Sequence, residues 1–312
     1  MKRDFLTLVD LSREEIEEVF SLARRLKADL REGWPHPLLA GKTVAMIFEK
    51  PSLRTRVTFE AGMVQLGGYA IHLALSDIGL GTREAPADVA RNLGRWVDLI
   101  MVRTFSHEVV LELARHAPVP VINGLSDLLH PCQVLSDCFT LSESLGGMDG
   151  LRVAFVGDGN NVVNSWLNAT RRFAFHFSLA CPPGYEPDAR VLEAARRENP
   201  DRVSITHSVE EAVRGADAVY TDTWASMGQE AQREERRNVF RPYQLNASVL
   251  ALAKEGALVM HCLPAHRGEE ITSDVMDGPG SIILEQAENR LHVQKGIMIW
   301  LSKKAQRGRR AG

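Results

Sequence analysis

Short apolar, β-branched runs alternate along the whole chain with stretches of helical periodicity, and this alternation restricts the fold to parallel sheets covered by helices. The first series of candidate strands is Thr43–Phe48, Tyr69–Leu75, Leu99–Arg103 and Val119–Asn123, with helical stretches near 54–67, 86–96 and 107–117 between them. The turn Gly146-Gly147-Met148-Asp149-Gly150 then punctuates the chain, and a second series follows. Its strands are Arg152–Val156, Phe175–Ala180, Val203–Thr206, Ala218–Thr221, Leu258–Cys262 and Ser281–Leu284. Ahead of both, Ser12 and Glu15 form a capping box before Ile16, Val19, Phe20, Ala23, Leu26 and Leu30, which recur at helical spacing. The reading is α/β with two domains, each a mostly parallel sheet with helices on both faces, and an active site in the cleft between them. Residues 1–148 form the first domain and 149–286 the second, with a last helix at about 287–304 packing back on the first.

A chain of 312 residues with 45% apolar and 25% charged residues has the size and composition for two such cores. A net charge of −3 gives no reason to expect a nucleic-acid or membrane partner. The Lys- and Arg-rich run from Lys303 to Arg310 reads as a solvated end before it reads as a binding patch. The four cysteines, Cys132, Cys138, Cys181 and Cys262, have no pairwise motif spacing, which fits a reducing compartment. The opening MKRDFLTLVDLS has too short an apolar run for a signal peptide, and no stretch reaches membrane-spanning length. A cytoplasmic protein is the expectation.

Ligands of open parallel sheets bind beyond the carboxyl ends of the strands, so the polar residues just after each strand are the candidates. After the first strand, Glu49-Lys50-Pro51-Ser52-Leu53-Arg54-Thr55-Arg56 runs into a helix, where unpaired N–H groups and a partial positive charge favour an anion. Ser52 and Thr55 add hydroxyls, and Arg54 can grip two phosphate oxygens as a fork. An N-capped surface helix with solvated arginines is an equal reading of the same residues. Arg103 closes the apolar run LIMVR and needs either a carboxylate or a bound anion. His130-Pro131-Cys132-Gln133 opens a helix after the fourth strand; taken alone, His130 reads as a hydrogen-bonded core histidine. Cys262 follows ALVMH at the end of a later strand.

Two other chemistries are disfavoured by spacing. Gly157-Asp158-Gly159-Asn160-Asn161 follows a strand, but the third glycine of a dinucleotide fingerprint falls on Val162, and the next strand ends in Cys181-Pro182-Pro183 with no acid for a ribose. His130, Cys132, His261, Cys262 and His266 lack paired ligand spacing, so no metal is expected.

The combination of Ser52-Leu53-Arg54-Thr55-Arg56, His130-Pro131-Cys132-Gln133 and His261-Cys262-Leu263-Pro264 resembles the transcarbamoylase family, over almost the whole chain and in the family's order. The segment Asp222-Thr223-Trp224-Ala225-Ser226-Met227-Gly228 and the cysteine motif at 261–264 are similar to its ornithine-using branch; the aspartate branch carries a segment similar to HPLP at the latter place. This resemblance implies transfer of a carbamoyl group from carbamoyl phosphate to the side-chain amine of L-ornithine in arginine metabolism, with no cofactor or metal and with a homotrimer, or a multiple of trimers, as the assembly.

The resemblance also implies residue roles. Ser52, Leu53, Arg54 and Thr55 hold the phosphate, and Arg54, Arg103 and His130 converge on carbamoyl phosphate. Gln133 and the backbone beside Leu263 take the carbamoyl NH2, and Cys262 and Arg290 complete that set. Asp222 and Ser226 receive the α-amino group of ornithine, and Asn161 with the Met227 N–H receives its carboxylate. Arg54, Arg103, His130 and Cys262 are the catalytic candidates, with Cys262 and Asp222 easing proton loss from the attacking amine. The polar stretch from Met227 to Asn238 is expected to be a loop that closes over ornithine.

One departure stands out. Many relatives carry a carbamoyl phosphate-binding glutamine where Ser76-Asp77-Ile78-Gly79-Leu80-Gly81 has Gly79, with Thr82-Arg83-Glu84 as possible compensation. Rival readings are a transcarbamoylase for putrescine, N-acetylornithine or aspartate, a nucleotide-binding oxidoreductase, and a non-catalytic relative. Against the last, Arg54, Arg103, His130 and Cys262 are all retained.

Overall fold

The structure, a computed structural model, describes residues 2–225, 228 and 230–310, the side chains of Glu230 and 306–310 excepted. The chain divides into two compact units: the first runs to Phe139 and resumes at Asn289, and the second is Thr140–Glu288.

The first unit is built on a four-stranded parallel sheet, β1 (Thr43–Phe48), β2 (Tyr69–Ala74), β3 (Leu99–Arg103) and β4 (Val121–Leu125), in the order β2-β1-β3-β4. All of β3 and all of β1 after Thr43 are buried, as their unbroken apolar sequences require when helices cover both faces. Ala45, Ile47, Ile100, Val102 and Val121 pack against Val89, Ala90, Val110 and Leu113 of the helices Pro86–Trp96 and His107–His116. The capping box at Ser12 and Glu15 starts the helix Arg13–Arg31, which buries Ile16, Val19, Phe20, Ala23 and Leu26.

The second unit carries a five-stranded parallel sheet, β5 (Arg152–Val156), β6 (His176–Ala180), β7 (Val203–Thr206), β8 (Ala218–Thr221) and β9 (Leu258–His261), in the order β7-β6-β5-β8-β9. Phe155 stacks on Tyr220 with centroids 5.1 Å apart, and Trp166 of the helix Asn161–Thr170 stacks on Phe177.

Strand order reverses once in each sheet, between β1 and β3 and between β5 and β8. Such switch points open a crevice at the carboxyl ends of the two strands. The segment 49–56 and Arg103 leave the first pair; Gly157–Asn161 and Asp222 leave the second. The topology therefore selects two of the motif segments, 49–56 and 157–161, with Arg103 and Asp222, while His130–Gln133 and His261–Pro264 follow the neighbouring strands β4 and β9.

Three expectations need correction. The fourth strand starts at Val121 rather than Val119 because Pro120 has no N–H for the ladder, although its carbonyl accepts from Ile100. The expected strand Ser281–Leu284 is a single bridge from Ser281 to Val259, after which the long helix Ile283–Arg310 begins. The stretch 227–238 is not a simple loop: a short 3-10 turn at Glu230–Gln232 leads into the helix Arg233–Phe240. Among the described residues, no helix is long and apolar enough to cross a membrane.

Candidate active site

In the first unit, Ser52 caps the helix Leu53–Gln65 by accepting from the Thr55 N–H at 3.2 Å, so both hydroxyl residues belong to the helix start. Thr55 is buried, and its Oγ1 accepts from Arg290 Nη2 at 3.0 Å. Arg290 also donates to Gln133 Oε1 and, with the Gln294 amide oxygen turned towards it, to Gln294. The Gln133 amide in turn donates to Asp137 at 2.8 Å. Arg290 thus ties the helix Leu53–Gln65 to the helix Pro131–Leu145, leaving Gln133 Oε1 a second lone pair for a ligand. Leu53 is 72% exposed and offers its backbone rather than its side chain. Arg56, the last residue of that motif, pairs with Glu60 on the helix surface at 3.0 Å.

Arg103 is buried at the end of β3, just after a register shift between Val102 and Arg103 that lets Arg103 face Leu125 rather than Gly124. Bulges of this kind re-aim a side chain at a sheet's end. His130 is buried nearby, and its pKa lies well below the usual histidine range: burial is the largest cause, and the charges of Arg290, Arg103, Arg54 and Lys50 follow. The imidazole is therefore neutral at physiological pH and sits amid four cations. A neutral ring can donate one hydrogen bond without adding charge, while the surrounding cations suit an anion. Lys50 was named in the motif without a role; it is buried, with its ammonium 3.9 Å from the centre of the Phe105 ring.

Gly79 also has a structural reason. It ends the short helix Leu75–Ile78 in the left-handed region, φ 56°, where an added Cβ would lie 2.7 Å from the Cβ of Arg83. A glutamine cannot be restored here without strain.

In the second unit, the chain leaves β5 through Gly157 and Asp158. Gly159 packs under the segment Tyr185–Pro187, where an added Cβ would lie 2.4 Å from Pro187 N; its smallness serves a backbone contact. Asn160 caps the helix Asn161–Thr170 through its Oδ1, and its Nδ2 donates to Asp222 Oδ2 at 2.8 Å. Asp222 Oδ1 accepts from its neighbour Thr223 N–H at 2.8 Å and from the Cys262 thiol at 2.9 Å. Asn161 is the first residue of the helix and only partly buried. Ser226 and Met227 lie outside the described residues.

The loop after β9 is held from behind. Leu263 N–H donates to His261 Nδ1 at 2.8 Å, so the proton of that ring is on Nε2, which donates to the buried Glu270 at 3.1 Å. Both imidazole nitrogens are thereby committed, and neither has a lone pair for a metal, although Asp222, His261 and Cys262 lie close enough together to suggest one. Burial tends to raise the Glu270 pKa, but the hydrogen bonds from His261 and from the His266 N–H outweigh it and leave it below the usual carboxylate range. Leu263 has φ 58°, a backbone strain for a branched residue, and a cis bond to Pro264 follows. Cys132, Cys138 and Cys181 are buried, and burial pushes the Cys132 and Cys181 thiols up to about 12 and that of Cys138 well above its usual value. Cys262, by contrast, is partly exposed.

The structure thus brings together Ser52, Thr55, Arg54, Arg103, His130, Gln133 and Arg290 in one unit, and Asn161, Asp222, Cys262 and Leu263 in the other. Residues 3–143 match the family model described as the carbamoyl-P binding domain of aspartate/ornithine carbamoyltransferases, and residues 149–301 match the Asp/Orn binding domain of the same family. The chain belongs to the aspartate/ornithine carbamoyltransferase family. Within this family it is 54% identical to the ornithine carbamoyltransferase of Syntrophus aciditrophicus, over 96% of this chain and 99% of that one. It is 52% identical to that of Carboxydothermus hydrogenoformans, over 96% and 97%. The solved structure of the ornithine carbamoyltransferase from Pyrococcus furiosus is similar, with a TM-score of 0.92 and 49% identity, covering 95% of this chain and 96% of that one. Three residues escaped a motif reading of this carbamoyltransferase: Asn160 as the partner of Asp222, Glu270 behind His261, and Arg236, described below. The bonds of Asn160 to Asp222 and of Arg236 to Asp158 span 62 and 78 residues and leave no local pattern, while Glu270, nine residues after His261, meets that ring only because the loop after β9 folds back.

Proposed function

We propose that this chain transfers the carbamoyl group of carbamoyl phosphate to the side-chain amine of L-ornithine, giving L-citrulline and phosphate, as a step of arginine biosynthesis in the cytoplasm. The observation that carries this reading is that each unit holds a cluster of its own chemistry: cations around a neutral His130 in the first, and a carboxylate–thiol pair at Asp222 and Cys262 in the second.

In this reading Arg54, Arg103 and the helix start at Ser52–Thr55 hold carbamoyl phosphate, and Arg290 keeps Thr55 and Gln133 in place beside it. His130 and the arginines stabilise the negative charge that grows on the carbonyl oxygen as the amine attacks, the largest electrostatic contribution in acyl transfer. Gln133 and the Leu263 carbonyl orient the carbamoyl NH2. The ornithine amine has a solution pKa near that of lysine, about 10, and must lose a proton before attack. Asp222, with its hydrogen-bonded thiol at Cys262, is the group that lowers this cost. Asp222 with Ser226 receives the α-amino group, and Asn161 with the Met227 N–H receives the carboxylate.

A homotrimer is part of the proposal. Leu53, Val57 and Val64 lie on one face of the helix Leu53–Gln65 and are exposed, as are Tyr69 and Ile71 of the edge strand β2. Large exposed apolar patches usually mark interfaces, and a second copy of this chain is the occupant the family resemblance implies. The experiment is citrulline and phosphate formation from carbamoyl phosphate and ornithine by the purified protein in chelator-treated buffer. Stoichiometric citrulline supports the reading; phosphate release without citrulline contradicts it.

A further inference from the structure

Arg236 lies in the helix Arg233–Phe240, eight residues after Gly228 of the Asp222–Gly228 motif, and its side chain is buried in the second unit. Its guanidinium forks between two segments: Nη2 donates to Asp158 Oδ2, just after β5, and Nε donates to the Trp224 carbonyl, two residues after Asp222. Its Cζ lies beside a pair of aromatic rings, 4.9 Å from the Tyr185 centroid and 5.1 Å from that of Phe240, and the two rings meet edge to face at 4.7 Å. A forked hydrogen-bonding geometry beside aromatic rings is an arginine function that a lysine ammonium cannot reproduce.

The place of these contacts matters more than their strength. Asp158 and Asp222 flank the switch point of the β7-β6-β5-β8-β9 sheet, and Asn160 already joins the two loops through its hydrogen bond to Asp222. Trp224 follows Asp222 by two residues, so fixing its carbonyl anchors the backbone just after Asp222. A carboxylate buried near a second acid is costly unless it is paired, and Arg236 is the cation paired with Asp158. Burial lifts the Asp158 carboxyl to about 6, Arg236 draws it down and Asp222 pushes it up.

We propose that Arg236 is a positioning residue for the amino-acid substrate, holding the backbone after Asp222 against Asp158 so that the α-amino acid end of ornithine meets a preformed receptor. The inference rests on the proposed reading of Asp222, Ser226 and Met227 as ornithine contacts. Arg236 touches neither substrate and acts through Trp224 and Asp158.

The test is Arg236→Lys, with Asp158→Asn as the second variant should Arg236→Lys fail to fold. Four quantities are measured in each: KM for ornithine, KI for norvaline (the same α-amino acid without the reacting amine), Kd for carbamoyl phosphate by calorimetry, and Tm. Loss of one charge-assisted fork bond is expected to raise the ornithine KM and the norvaline KI together by roughly 10-fold or more, with carbamoyl phosphate affinity unchanged. An ornithine KM and norvaline KI that do not move overturn the proposal, as does a parallel weakening of carbamoyl phosphate binding in step with Tm. Failure of the underlying reading looks different: the wild-type protein itself then makes no citrulline, while norvaline binding that depends on Arg236 still supports the positioning role.

Discussion

The Cys262 thiol donates to Asp222 Oδ1 at 2.9 Å and so joins the ends of β9 and β8 at the edge of the second sheet's switch point. With Thr223 N–H on the same oxygen and Asn160 Nδ2 on the other, Asp222 is an acceptor for three donors, an arrangement that suits a carboxylate and no other side chain.

Asp222→Asn therefore places an NH2 where a carboxylate oxygen accepted. Loss of the negative charge and of at least one charge-assisted bond is expected to reduce kcat/KM for ornithine by roughly 100-fold or more. Carbamoyl phosphate affinity should stay as it is, because the cation cluster is untouched. Steady-state kinetics beside calorimetry with carbamoyl phosphate check this; a joint loss of both would place Asp222 in a structural role.

Arg54 sits at the start of the helix Leu53–Gln65, where it carries little packing. Arg54→Lys keeps the charge and loses the fork. The expected loss in kcat/KM for carbamoyl phosphate is about 10- to 150-fold, from one charge-assisted bond of roughly 1.5–3 kcal/mol, at nearly unchanged Tm. Near-normal kinetics would remove Arg54 from the site.

The depressed pKa of His130 has a consequence for acid stability. A histidine with a lowered folded pKa favours the fold only while neutral; that contribution is complete above the unfolded value of about 6.5 and is lost as pH falls through the folded value. Asp158 works with the opposite sign: its protonated form favours the fold, and that contribution is lost as pH rises from 3.8 through about 6. Comparing the wild type with His130→Asn isolates the first effect. Tm of the wild type should fall more steeply than that of the variant as pH drops from about 6.5 to 5. Parallel slopes would mean that neither burial nor the surrounding cations oppose protonation of His130.

Much of this was legible in the sequence, and the reasons differ by element. Strands β1, β3, β5 and β8 lie within the bounds read from their apolar runs, because strands of a covered parallel sheet write their burial as nearly unbroken hydrophobicity. The edge strand β7 alternates apolar and polar residues and matches its bounds on that pattern. The start of β4 was misread because Val119-Pro120 is apolar, although proline cannot join the ladder as a donor. Ile282, Ile283 and Leu284 read as a strand because three apolar residues cannot distinguish a strand from a buried helix start. Strand-end residues such as Arg103 and Asp222 were found because position after a strand is itself a signal. Arg236 and Asp158 were not paired, since a bond across 78 residues leaves no periodicity to read.

The exposed apolar face of the helix Leu53–Gln65 and β2 bears on assembly. Val64 is 71% exposed and Tyr69 70%. Val64→Glu combined with Tyr69→Glu introduces charge into the proposed interface while leaving the core alone, and light scattering after gel filtration should show a smaller mass than that of the wild type, for which a trimer is proposed. An unchanged mass would move the interface elsewhere.

The central claim is that the second unit receives an α-amino acid whose side-chain amine is the nucleophile. Carbamoylation of ornithine, putrescine, N-acetylornithine and aspartate, each offered with carbamoyl phosphate under the same conditions, tests it most directly. The account predicts that kcat/KM for ornithine exceeds that for each of the others by roughly 100-fold or more, since unpaired buried polar groups penalise an analogue that lacks or blocks the α-amino or α-carboxyl group. Turnover of putrescine or N-acetylornithine as fast as that of ornithine would contradict it.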